Sequence, residues 1–254
     1  PSLGIAAMAE NAWRWCYFLR ITGELDRALS QGHLACDLAL AGEAPQWHGA
    51  ALNDLALLHA DAGRVDEAVR CADEACEVAR QRGDAWWIAR TRATRGYARN
   101  ERGDASGALE EFHEAAQAFH AAGDQRMEGL ALANAAFTLM RLGRMTDAME
   151  RFNDVLRRCK AVGNLRTTAM ALANRATIHR VARRFTEARA DLDAAESLAR
   201  KIDHTRIVAA ACIERVYQSL AAPTPNTRWQ ELGDVACAAA KLAGSKPIED
   251  SAKA

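Results

Sequence analysis

Apolar residues in this chain recur at the spacing of one helical face. Ala108, Phe112 and Ala115 follow an i, i+4, i+7 pattern, as do Ala148, Phe152 and Val155, then Ala188, Leu192 and Ala195, which puts each trio on one side of a helix. The trios lie 40 residues apart, and the same register carries Ala28 and Ala68, so five alanines stand at one repeat position. Twelve residues before each comes another small side chain, Cys16, Ala56, Gly96, Ala136 and Ala176, with Val216 in the last unit. Small residues at paired positions let two helix backbones approach while Phe112, Phe152 or Leu192 fills the space beside them.

Glycines punctuate the pattern. Gly23, Gly63, Gly103 and Gly143 are 40 residues apart, Arg183 and Pro223 continue the spacing, and Gly83, Gly123, Gly163 and Asp203 fall 20 residues after the first set, with Gly42 one position early. Each half-repeat has room for a helix of roughly 17 residues, about 25 Å long, and glycine supplies the left-handed backbone on which a helix ends. Asp84, Asp104, Asp124 and Asn164 follow glycines and suit the N-caps of the next helices. The pattern predicts an all-α domain over 1–244, built of antiparallel helix pairs at about 3–42, 43–82, 83–122, 123–162, 163–202 and 203–244. No pair buries its apolar face alone, so the pairs must stack. Residues 245–254 have no apolar period and contain Pro247, which predicts a disordered tail.

Composition agrees with this picture. Half of the 254 residues are apolar and only 5 are proline, enough apolar surface for a core and little to interrupt helices. The 33 basic and 33 acidic residues cancel, which removes the general case for direct nucleic-acid binding or an anionic membrane. The balance hides an asymmetry: residues 1–80 carry 6 Arg/Lys against 12 Asp/Glu, and 151–206 carry 13 against 6. Seven cysteines without a C-x-x-C pair point to buried free thiols in a reducing compartment. With no signal-peptide pattern and no long apolar run, the expected location is cytoplasmic. A start other than Met, almost directly on an amphipathic helix, points to a segment of a longer chain.

Catalytic and metal motifs do not emerge. His113-Glu114 begins like a metalloprotease helix but lacks its second His, and Gly244-Ser245-Lys246 lacks the leading glycine of a phosphate loop. His113 and His120 share a helix face, where solvated positions are the expectation. Cys71 and Cys76 lie about 140° apart around a helix and do not pair. Trp86 and Trp87 open a helix at a junction and are expected to form a buried wedge. No enzyme activity, cofactor or metal is expected.

Small-x-x-aromatic in the first helix, then Gly, then Ala-x-x-x-Phe-x-x-Ala in the second, resembles the tetratricopeptide repeat. Gly96-Tyr97 with Ala108, Phe112 and Ala115 is the nearest unit, its aromatic one place from the usual offset. The likeness covers about residues 3–243. A period of 40 against the usual 34 implies longer helices, like the variants in polarity adaptors, kinesin light chains and bacterial regulator sensor regions; HEAT and armadillo repeats are the competing families. The resemblance implies a right-handed superhelix whose first helices line a concave groove. That groove should receive Trp13 and Tyr17, Asn53 and Leu57, Arg90 and Tyr97, Leu130, Phe137 and Arg141, Met170, Thr177 and Arg180, then Ile213 and Tyr217.

Asn134 and Asn174 share one repeat position, in Leu130-Ala-Leu-Ala-Asn134 and Met170-Ala-Leu-Ala-Asn174. An Asn at that place in related solenoids holds the backbone of an extended peptide, because an amide offers both donor and acceptor whatever side chains the peptide carries. The expected role is a protein–protein interaction module, part of a larger regulatory or adaptor protein. Asn134 and Asn174 would clamp a partner segment, Tyr97 and Phe137 would give it apolar contact, and Arg90, Arg141 and Arg180 would line its path, the last two attracting acidic groups. The alternative is a regulatory or sensor segment of a multidomain ATPase, transcription regulator or signalling enzyme, with a small ligand in the groove.

Overall fold

The computed structural model describes residues 2–202 and 204–221, with the isolated positions 234 and 238. The described chain is helical throughout, without strands. It divides into two units. The first, Pro1–Asp124, holds α1 (Ser2–Thr22), α2 (Leu25–Ala41), α3 (Pro45–Asp61), α4 (Val65–Arg82), α5 (Ala85–Arg102) and α6 (Ala105–Ala121). The second, from Gln125, holds α7 (Gln125–Arg141), α8 (Met145–Ala161), α9 (Leu165–Val181), α10 (Phe185–Lys201) and α11 (Thr205–Ala221). Asp203, Pro223, Cys237, the expected second helix of the sixth pair and the expected tail lie outside the described residues.

Seven of the described helices end on the same device. Gly23, Gly63, Gly83, Gly103, Gly123, Gly143 and Gly163 all have positive φ. The next residue's N–H then reaches back to a carbonyl of the last turn, as in Glu24 to Leu19 at 2.9 Å, Asp104 to Arg99 at 2.9 Å and Asn164 to Cys159 at 2.9 Å. The carbonyls left over at the helix end are thereby satisfied. Gly42 is off register for a different reason. Its neighbour Glu43 takes the left-handed conformation, φ 50°, while a Cβ on Gly42 would stand 2.9 Å from the Ala6 backbone nitrogen. Arg183 likewise adopts φ 58° in place of a glycine. Three of the expected caps form: Asp84, Asp104 and Asn164 accept from the N–H of Trp87, Gly107 and Thr167. Asp124 accepts the Trp86 indole N–H at 3.0 Å.

Packing follows the small-residue register. Ala28, Ala68, Ala108, Ala148 and Ala188 are completely buried, as are Phe152 and Leu192. Gly96 owes its missing side chain to Phe112, whose Cε1 would lie 3.0 Å from an added Cβ. In the first unit α1 packs on α2 and α3, α3 on α4 and α5, and α5 on α6; in the second α7 packs on α8 and α9, α9 on α10 and α11. Successive first helices therefore touch one another within each unit, α1 with α3 and α3 with α5, α7 with α9 and α9 with α11.

Polar ties recur between the layers in one register. Arg175 forms a bidentate pair with Asp191, 2.6 and 2.7 Å, and reaches Asn153 at 2.8 Å. Arg95 likewise meets Glu111 at 2.5 Å and Asp73 at 3.6 Å. Arg215 meets Asp193 at 2.6 Å. Each arginine joins a first helix to the second helix before it, and the first two also to the one after.

Candidate functional site

In each unit the touching first helices present one common face, and the positions flagged by the repeat register fall on those helices. The register that holds Asn134 and Asn174 holds Asp54, Thr94 and Glu214 in the other repeats, and their fates divide. Asp54 and Thr94 are buried. Asn134 and Asn174 are half-buried, and neither side-chain amide makes a hydrogen bond to a described residue.

On the second unit's face, α7 carries Asn134, the half-buried Phe137 and the exposed Arg141, and α9 carries Asn174, Thr177 and Arg180. Arg180 is engaged: its Nε donates to Glu214 on α11, and its guanidinium lies 5.6 Å from the centre of the Tyr217 ring. An exposed cation ready for an acidic partner was the expectation there; an internal carboxylate already occupies it. Sequence carried a signal for this pair, because Arg20 and Asp54 stand at the same two register positions and are also joined.

The first unit's face is built around Asp54, which is 3 % exposed. Trp13 of α1 donates its indole N–H to Asp54 Oδ2 at 2.9 Å and stacks on Trp47 at 5.2 Å. Arg20, also on α1, brings Nε to 3.2 Å from Asp54 Oδ1 while its guanidinium sits over the Tyr17 ring at 5.4 Å. From α5, Tyr97 donates its hydroxyl to Asp61 Oδ1 at 3.3 Å. Arg90 lies one and two turns before Thr94 and Tyr97 on the same helix. Burial pulls its guanidinium below the ordinary value, against the field of Asp54, which raises it. Asn53 and Leu57 are buried and half-buried on α3. The repeat spacing placed Trp13, Tyr17, Arg90 and Tyr97 on first helices but gave no notice that Asp54 would gather Trp13 and Arg20.

The remaining candidates are structural. The six described cysteines are buried and unpaired, and burial pushes the Cys16 and Cys36 thiols up to about 12. His59 and His179 are held below their ordinary value by burial first, with Arg64 and Arg184 adding to it. His113 and His120 are exposed. Neither residue of the expected buried wedge is buried: Trp87 is half-buried, and Trp86 is 37 % exposed and meets Phe119 edge-on at 6.0 Å. Among the described residues no group of three His, Cys, Asp or Glu is placed to hold a metal ion, and no helix is long and apolar enough to cross a membrane. An open recess of about 450 Å³ between α1 and α2, lined by Trp15, Leu19, Asp26, Arg27, Ser30 and Gln31, contains none of the expected site residues.

An all-α stack of antiparallel helix pairs, with first helices sharing a face, defines a helical-repeat scaffold. Residues 49–82, within α3 and α4, match the tetratricopeptide repeat family, and the fold is that of tetratricopeptide-like repeat solenoids. A Rap protein solved with competence and sporulation factor superposes with a TM-score of 0.74 at 17 % identity, over 93 % of this chain and 66 % of that one. Aspartyl phosphate phosphatase F from Bacillus subtilis gives 0.71 at 13 % identity, over 98 % and 69 %. A signal-transduction ATPase with a tetratricopeptide repeat sensor, from Pyrococcus horikoshii, gives 0.60 at 14 % identity, over 100 % and 46 %. The chain thus spans about two thirds of the first two proteins and under half of the third. At these identities the likeness establishes the fold. No curated protein sequence matches the chain.

Proposed function

We propose that this chain is a protein-docking module without catalytic activity of its own, and that the first-helix face of the second unit holds an extended, partly acidic polypeptide segment. One observation carries this reading: two half-buried amides, Asn134 and Asn174, stand on equivalent turns of the touching helices α7 and α9 with their hydrogen-bonding capacity unused. Helices packed side by side are about 10 Å apart, roughly three residues of extended chain. An amide at each end of that span would bond the backbone of one strand, each bond contributing about 1 kcal/mol net. Phe137 supplies apolar contact between them. Arg141 and Arg180 favour acidic groups on the segment, although a carboxylate at Arg180 must displace Glu214 from it. Tyr97 and Arg90 serve the equivalent face of the first unit. The Rap protein crystallised with competence and sporulation factor shows a protein of this fold in complex with a second molecule, which supports the docking role.

The regulatory-segment reading uses the same faces and differs in what surrounds them; the repeat sensor of the Pyrococcus horikoshii ATPase supports it as context for the module. The test is selection from a displayed library of unstructured peptides on the wild-type chain, followed by titration of the recovered peptides. Asn134→Ala with Asn174→Ala should weaken them by about tenfold or more, the loss of two bonds of roughly 1 kcal/mol each, with an unchanged circular-dichroism melt. Equal affinity for wild type and double variant removes the amide clamp.

A further inference from the structure

The helices α3, α5 and α9 each bury one face against the second helix before them. On α3 that face is the i, i+4, i+7 trio Ala51, Leu55 and Leu58, at most 2 % exposed; on α5 it is Thr91, Arg95 and Ala98, all buried. The same three places on α1 hold Asn11, Trp15 and Phe18. There Asn11 is exposed, Trp15 is 55 % exposed and Phe18 48 %, with Met8 beside them at 56 %. The two rings meet edge-on at 5.6 Å. A solenoid end that faces water carries polar residues, whereas an exposed apolar patch marks a contact surface.

The contacts of the later helices show what fits this face. α2 lays Gly32 against Leu55, where a Cβ would stand 2.6 Å from the leucine Cδ2, and brings His33 to 5.9 Å from His59. The open recess of about 450 Å³ beside α1 is lined by Trp15 and Leu19, which occupy the places of Leu55 and His59. Leu29 of α2 belongs to the same buried cluster as Leu55 and Leu58. On α5, Thr91 stands at the Asn11 place and meets the Cys76 thiol of α4.

We propose that the Asn11, Trp15 and Phe18 face of α1 docks one amphipathic helix from outside these 254 residues, antiparallel to α1, in the relation that α2 bears to α3. The later contacts specify its stripe: an apolar residue, then Gly or Ala three places on and opposite Trp15, then a polar side chain four places further and opposite Asn11. Trp15 is larger than Leu55, and Leu55 already excludes a Cβ, so the small position is stricter here. Asn11 stands where the later helices bury Ala51 or Thr91, and an amide buried there needs a hydrogen-bond partner. By sequence the sixth repeat carries Leu232 and Ala236 at the two places, one large and one apolar, so a second copy adding its last helix meets neither requirement. The α1 face stands apart from the amide pair on α7 and α9 and does not rest on it.

The test uses the whole chain and a defined probe: the α2 sequence, Leu25–Ala41, as a labelled peptide with Cys36→Ser, cross-linked between the places of Arg27 and Leu34. Both of those side chains are exposed on α2. The cross-link holds a helix too short to persist alone, and the substitution offers Asn11 a hydroxyl. The Trp15 indole N–H and Phe18 ring signals should shift saturably in NMR titration, with affinity read from fluorescence anisotropy. Trp15→Ala in the chain should weaken binding by about thirtyfold, as truncation of an aromatic anchor does, with a wild-type melting curve. Gly32→Leu in the peptide should abolish binding. Cys36→Ala in place of Cys36→Ser should weaken it by about fivefold, the worth of one hydrogen bond. An unmoved Trp15 signal, affinity unaltered by Trp15→Ala, or equal binding of the Gly32→Leu peptide would overturn the proposal. So would sedimentation of the chain alone as a dimer that Trp15→Ala dissociates, because the face would then belong to a second copy. Asn134→Ala with Asn174→Ala should leave this peptide's affinity intact, so failure of the α1 face and failure of the amide clamp are read separately.

Discussion

Gly32 and Gly4 are both helical glycines, and alanine at the two should change stability with opposite signs. In an open helical site Gly→Ala gains up to about 1 kcal/mol from helix propensity. Gly4 is such a site, with nothing within 4 Å of an added Cβ. Gly32 is buried in α2, and its added Cβ would lie 2.6 Å from Leu55 Cδ2, 2.9 Å from Leu55 Cγ and 3.2 Å from Cys16 Sγ. Carbon atoms rest at about 3.5–4.0 Å, so Leu55 would have to retreat by about 1 Å. Leu55 is 2 % exposed and Cys16 fully buried, so there is no room to retreat into, and overpacking of this kind costs about 1–3 kcal/mol. Subtracting the propensity gain leaves Gly32→Ala destabilised by roughly 1 kcal/mol. Urea unfolding followed by circular dichroism should show the midpoint rising for Gly4→Ala and falling for Gly32→Ala. In a Leu55→Ala background the Gly32→Ala penalty should vanish, because the space it needs is then available. A rise in midpoint for Gly32→Ala in the native background would show that α2 and α3 are not in close contact there.

Three further outcomes are expected. Ala148 is fully buried, so Ala148→Leu should cost about 1–3 kcal/mol while the exposed Glu150→Gln costs little, read from the same urea curves; coincident midpoints would contradict the tight helix contact. Arg175→Met strips both guanidinium bonds from Asp191, 7 % exposed, and should cost about 3 kcal/mol by leaving a buried carboxylate with only His179 Nε2 nearby, at 3.7 Å; Asp191→Asn combined with it should recover part of the loss. His59 and His179 have folded values depressed below 6.5, chiefly by burial. The unfolded chain then binds more protons, so the stability they contribute is full above the unfolded value and is lost as pH falls below it. His59→Gln should flatten the melting temperature between about pH 7 and 5, and an unchanged slope would refute its buried, neutral state.

Helix boundaries were legible because the determinant is local: a left-handed residue closes nine of the described helices, and glycine marks seven of those ends in the sequence. The exceptions also have local causes that no composition signal betrays. Glu43 and Arg183 accept positive φ without being glycine, and Gly42 is small because the Ala6 backbone passes close by. Core positions were legible for the same reason, since Ala148, Phe152 and their repeats keep one register. Partner choice on the first-helix faces was not. Trp13 and Asp54 are 41 residues apart, and Arg180 and Glu214 are 34; helical spacing says which helix carries a charge, and only packing decides which charge it meets. Arg180 consequently changed from an open cation to half of an ion pair.

The most direct test of docking follows the side-chain amide resonances of Asn134 and Asn174 during titration with a peptide selected on the wild-type chain. A backbone clamp predicts that both amides shift together and saturate at the same peptide concentration, with Phe137 ring signals moving alongside. Unmoved Asn134 and Asn174 amides, with shifts confined to the second helices α8 and α10, would contradict docking on the first-helix face.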